Sequence, residues 1–105
     1  MKEIDVQTLK SWIDSGKDFQ LIDCREDFEY DMGHINGELI SLNTIIDQET
    51  KVARDKDVVI HCRSGKRSGM AVKELESRFG LQNLYNLTGG ILAWKEQIDP
   101  SVQAE

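Results

Sequence analysis

Cys62 is the residue of this 105-residue chain best placed for covalent chemistry. It heads the run Cys62-Arg63-Ser64-Gly65-Lys66-Arg67, directly after the apolar Val58-Val59-Ile60 and His61, and directly before a stretch of helical periodicity. A short loop at such a junction, given Gly65 to turn on, can aim backbone N–H groups inward and end at a helix N-terminus, which makes a nest for an anion. A cysteine at its base feels the helix dipole and the charges of Arg63, Lys66 and Arg67, all of which favour the reactive thiolate. The same nest would stabilise an anionic group carried on the sulfur. The bland alternative is a small buried hydrophobe followed by an ordinary connection. That alternative leaves unexplained why three cations crowd into five residues of a chain with net charge −6.

The second thiol is Cys24. Two cysteines make no disulfide framework in a chain with enough apolar residues for a core, and no Cys-x-x-Cys pair occurs. Cys24, Cys62, His34 and His61 are the only residues that could form a Cys/His metal set, and their spacing fits no ordinary structural zinc site. No zinc site is expected from them.

The elements that must position Cys62 follow from periodicity. Asp5 can cap a helix whose Val6, Leu9, Trp12 and Ile13 share one face, ended by Gly16. Phe19 to Cys24 reads as a strand, Glu26 to Met32 as a short helix, and Glu38 to Leu42 as a brief strand. Leu42, Ile45 and Ile46 suggest a helical turn or two. Asp57 to His61 is the clearest strand, since a continuous apolar run suits a strand covered on both faces. Val72, Leu75 and Phe79 mark a helix closed by Gly80, Leu84 to Leu87 a fourth strand, and Ile91, Trp94 and Ile98 a last helix ended by Pro100. Alternating βα units of this length imply an α/β fold with a parallel sheet between helices. Cys24 and Cys62 then fall where strands end, at the carboxyl edge where open α/β sheets bind ligands.

Length and composition fit one domain, read as residues 1–100 with a short frayed tail at 101–105. A pI near 4.9 argues against nucleic acid or an anionic membrane surface as partner. No apolar run suits a membrane span or a signal peptide, so a cytoplasmic location is expected.

Four segments resemble the rhodanese-like domain family. Leu21-Ile22-Asp23-Cys24-Arg25-Glu26 resembles its Leu-Ile-Asp-Val-Arg signature, and Gly33-His34-Ile35-Asn36-Gly37 its Gly-His-Ile-Pro-Gly. Cys62 to Ser68 is similar to its active-site loop, and Gly89-Gly90-Ile91-Leu92-Ala93-Trp94 to its closing Gly-Gly-x-x-x-Trp. Together, in family order, they cover nearly the whole chain. The resemblance implies a five-stranded parallel sheet with helices on both faces. It also implies thiosulfate sulfurtransferase chemistry, with Cys62 as nucleophile and persulfide carrier. Arg63, Ser64, Gly65, Lys66 and Arg67 would bind a small anionic sulfur donor, with Asp23, Arg25 and Ser68 in support. Cyanide, a thiol or a protein would take the sulfur. His34 is marked as part of a turn rather than a general base.

The chain departs from the family pattern at three places. Asn36 replaces proline, Glu38 stands where a small residue is common and could repel an anionic donor if it faces the site, and Cys24 replaces valine. Cys24 reads as a core substitute for that valine. Its alternative, a resolving thiol for Cys62, requires Cα atoms within about 7 Å. Two other readings of the whole chain remain. A non-catalytic interaction or sulfur-carrier module is one. A cysteine phosphatase or arsenate reductase is the other, although Arg67 follows Cys62 one position sooner than the arginine of those loops.

Overall fold

The computed structural model describes residues 1–105. Its elements are β1 (Lys2–Ile4), α1 (Val6–Asp14), β2 (Gln20–Asp23), α2 (Asp27–Met32), β3 (Glu38–Leu39), a 3-10 turn (Glu49–Lys51), β4 (Val58–His61), α3 (Lys66–Phe79), β5 (Leu84–Leu87) and α4 (Gly90–Gln97). The five strands form one all-parallel sheet in the order β1-β5-β4-β2-β3. Four of the strands match the periodicity reading. β1 was not anticipated from periodicity, because three half-polar residues that pair with β5 far along the chain give no local signal. The expected strand over Glu38 to Leu42 contracts to two paired residues.

Local chemistry explains the helix bounds. Asp5 accepts from the Thr8 N–H at 2.8 Å and starts α1. At α2, Glu26 and Glu29 form a reciprocal capping box, and α3 stops at Gly80 in the left-handed region.

Side chains alternate across the sheet, so each face has its own core. Ile22, Cys24, Val58, Ile60 and Cys62 pack against Ala71, Val72 and Leu75 of α3 and against Ile40, Ile45 and Val52. Leu87 and Val59 pack on the opposite face with Val6 and Leu9 of α1 and Ile91 and Trp94 of α4. Each fully buried aliphatic side chain stabilises the fold by roughly 1.5–3 kcal/mol before entropy is counted. The tail is not frayed. Val102 and Ala104 pack on the second cluster, and the Gln103 backbone lies against Gly33.

From β2 the chain runs outward to β3 on one side and returns to β4 on the other. That reversal opens a crevice at the carboxyl ends of β2 and β4. Cys24 and Cys62 are the residues that follow those two ends.

Candidate active site

β4 is buried along its whole length, so it delivers Cys62 rigidly to the crevice with only 1% of the residue exposed. The chain then turns through Gly65, whose φ of 101° is left-handed, and α3 begins at Lys66. The turn wraps the sulfur. Cys62 Sγ accepts from the Gly65 N–H at 3.2 Å and the Ser68 N–H at 3.3 Å, and Ser68 Oγ lies at 3.4 Å. Ser68 is in the first turn of the fourteen-residue α3, so one of that helix's unpaired N–H groups is spent on the sulfur.

Cys24 lies beside it. Asp23 pairs with His61 in the β2–β4 register, and the Cys24 N–H donates to the His61 carbonyl at 2.9 Å, which carries the register on to Cys24 and Cys62. Both side chains enter the same core cluster. Hydrogen bonding from the Cys24 thiol and from the Ser68 and Gly65 N–H groups holds the Cys62 thiol down at about 4 against the opposing effect of burial. Cys24 shifts the opposite way. Its bond to Cys62, its burial and the adjacent negative sulfur push its acidity well above the ordinary thiol range. The two shifts run in opposite directions, toward thiolate at Cys62 and toward thiol at Cys24.

The expectation that nearby cations make the thiolate needs revision. Arg67 turns to α2, where its guanidinium grips the Glu29 carboxylate in two bonds of 2.7 and 2.8 Å. Arg63, Ser64 and Lys66 are exposed, and Arg63 Nε donates to the Glu105 carbonyl. Hydrogen-bond donors, not side-chain charges, are the principal hold on the sulfur. A cleft of about 350 Å³ opens above the loop, lined by Arg25, Phe28, Glu29, Met32, Arg63 and Arg67 among others. Cys62 itself is not among the residues that line it.

Two residues missed in the sequence fasten the nest. Asn86 interrupts the apolar β5, is buried, takes the Ser68 hydroxyl at 2.5 Å and donates to the Gly65 carbonyl at 3.1 Å. With its single proton directed to Asn86, Ser68 presents mainly its N–H to the sulfur. A polar residue in a core strand was the available signal. Glu29 carried none beyond its place in a capping box. Gly90, in the Gly-Gly motif, is a site of close approach. A Cβ there would lie 2.5 Å from the Cys62 and Arg63 carbonyl oxygens, and those carbonyls accept from the first-turn N–H groups of Ile91 and Leu92.

The supporting pair is buried. Arg25 Nε and Nη2 bind Asp23 at 3.0 and 2.8 Å, and Nη2 also reaches the Gly33 carbonyl at 2.8 Å, tying the 33–37 turn to the end of β2. Removing one member of such a pair strands the other charge in the interior. His61 is packed with neither ring nitrogen bonded, 3.7 Å from Asp23, and burial pushes its pKa down. His34 stacks on Tyr30 and accepts from the Asn36 N–H, as a turn residue. Asn36 has φ 67°, a left-handed conformation closed to the proline it replaces. Glu38 accepts from Gln20 and does not line the cleft. The four candidate zinc ligands do not converge.

A parallel five-stranded sheet with a cysteine nest at its switch point defines a class, and the chain belongs to the rhodanese-like domain family, which matches residues 5–97. Its relatives include a protein named Sulfurtransferase from Allochromatium vinosum, 35% identical over 106 residues that cover all of this chain and 98% of that one. Another is the probable adenylyltransferase/sulfurtransferase MoeZ of Mycobacterium tuberculosis, 35% identical over 102 residues. This chain spans about a quarter (26%) of that larger protein. The crystal structure of a rhodanese-like domain protein from Staphylococcus aureus superposes with a TM-score of 0.84 at 32% identity, covering 100% of this chain and 99% of that one.

Proposed function

We propose that this domain transfers sulfane sulfur from thiosulfate, or a similar small anionic donor, through a persulfide on Cys62. The observation that carries this reading is a buried cysteine sulfur that accepts from the N–H groups of Gly65 and Ser68 at the start of α3, contacts that lower its pKa. Arg63 and Arg67 at the cleft attract the anion, and the exposed Ser64 and Lys66 border the loop. The Cys62 thiolate attacks the outer sulfur of thiosulfate. The sulfur–sulfur bond breaks and sulfite leaves with its electron pair, so the protein holds Cys62–S–S⁻. The negative outer sulfur rests near donors already aimed at the site, at no cost of reorganisation. Cyanide or an acceptor thiolate then attacks that outer sulfur and returns the Cys62 thiolate. Asp23 and Arg25 act by fixing the neighbouring turn. The expected setting is the cytoplasm, with no metal, cofactor or nucleic acid involved.

Intact-protein mass after incubation with thiosulfate tests the reading. The wild type should gain one sulfur atom, lost again on adding cyanide, and Cys62→Ser should gain none. An adduct that survives in Cys62→Ser overturns the assignment. A wild type that takes sulfur from no sulfane donor is a binding module instead. One that hydrolyses phenyl phosphate through Cys62 is a phosphatase.

A further inference from the structure

The Cys24–Cys62 pair does more than fill the core. The two residues are neighbours across adjacent parallel strands, which run about 4.8 Å apart, so their Cα atoms fall within the reach of a disulfide. Both side chains point to the same face and both are 1% exposed. Cys24 comes at Cys62 from the neighbouring strand, whereas the N–H donors come from the loop and α3. Both sulfurs are shielded from solvent, and burial and the neighbouring sulfur push the Cys24 thiol up. A valine in the same place would fill the same space without a reactive atom.

We propose that Cys24 discharges the Cys62 persulfide within the chain, releasing hydrosulfide and leaving a Cys24–Cys62 disulfide; this rests on the sulfur-transfer reading above. In this step Cys24 Sγ attacks Cys62 Sγ, the inner sulfur of the persulfide. A Cys24–Cys62 sulfur–sulfur bond forms as the bond to the outer sulfur breaks. The outer sulfur departs with that electron pair and takes the Cys24 proton, so Cys62–S–S⁻ and Cys24–SH become the disulfide and HS⁻. No oxidant enters, because the sulfane sulfur is itself reduced. An external dithiol returns both cysteines to the starting state. With no acceptor at the cleft the domain is then a sulfide-releasing device that turns over once per reduction. With an acceptor present, the two routes compete for the same persulfide.

The experiment follows intact mass and free sulfide after wild type and Cys24→Val are loaded with excess thiosulfate and stripped of donor, with Cys24→Ser as a second variant and thermal unfolding to verify each fold. The wild-type adduct should give way to a species two hydrogens lighter than the starting protein, with one sulfide released per chain. In both variants the persulfide should persist at least about tenfold longer, since they lack the held intramolecular thiol. A wild-type persulfide as durable as that of Cys24→Val, with no lighter species, overturns the proposal while leaving sulfur transfer intact. A wild type that neither gains sulfur nor releases sulfide with thiosulfate or polysulfide counts against sulfur transfer itself and removes the discharge with it. Oxidised glutathione reads the pair without any sulfane donor. The wild type should proceed to the internal disulfide and Cys24→Val should stop at the glutathione adduct, whereas a wild type that also stops there refutes the pairing.

Discussion

Replacing Gly90 by alanine tests whether α4 braces the active-site loop. Gly90 has φ 59°, and its missing Cβ would stand 2.5 Å from both the Cys62 and the Arg63 carbonyl oxygen. Left-handed backbone costs a non-glycine residue about 1–2 kcal/mol. The contact distance cannot be tolerated, because both obstructing atoms are backbone, so the start of α4 must withdraw. Withdrawal breaks the bonds from the Ile91 N–H (2.9 Å) and the Leu92 N–H (3.1 Å) to those carbonyls. Each lost bond is worth about 1 kcal/mol, more where the carbonyl is left buried without a partner. The sum is about 3–5 kcal/mol. Gly80 supplies the control, since its φ is 67° and nothing lies within 4 Å of its Cβ position. Gly80→Ala should therefore show the backbone cost alone, about 1–2 kcal/mol. Urea unfolding of both variants measures the difference. If Gly90→Ala is no more destabilising than Gly80→Ala, the brace does not exist.

The Cys62 acidity has its own signature: the ultraviolet absorbance of the thiolate should titrate with a midpoint at about 4 and vanish in Cys62→Ser. The rate of persulfide loading should fall through that midpoint as the pH drops, and a midpoint near the ordinary thiol value of 9.0 would refute the hydrogen-bonded thiolate. Glu29 is held at about 2 by Arg67, below its ordinary 4.5, so the ion pair's contribution is whole above pH 4.5 and fades as the pH falls toward 2. Relative to Glu29→Gln, the wild type should lose about 1 kcal/mol across that interval, after allowance for the solvent that reaches Arg67; parallel stability curves would refute it.

What the sequence disclosed was whatever is local. Val58-Val59-Ile60 announces a strand buried on both faces, Gly65 a turn, and Gly80 a helix end, because each signal sits in the residues that obey it. The nest around Cys62 was legible for the same reason, its donors Gly65 and Ser68 lying within six residues of the sulfur. Long-range partners were not. Arg67 reads as a free cation until its partner Glu29, 38 positions away, is brought alongside. Asn86 is 18 positions from Ser68, and Lys2 pairs with Tyr85 across almost the whole chain. Cys24 could be placed at a strand end, but that it lies beside Cys62 depends on a register that periodicity does not fix.

None of the donors at Cys62 Sγ is the side chain of Arg63, Ser64 or Lys66, which all face outward. On the sulfur-transfer proposal, the nucleophile and its selectivity are therefore built from separate materials. The backbone of the loop, Ser68 and Cys24 set how acidic the sulfur is, while the outward residues form a rim that can be rewritten without disturbing it. Exchanging charge or bulk at those three positions alters which donor or acceptor surface can sit over the crevice, and the reactive atom beneath is left in the same state. If the domain transfers sulfur as proposed, its doorway can change partners while its chemistry stays fixed.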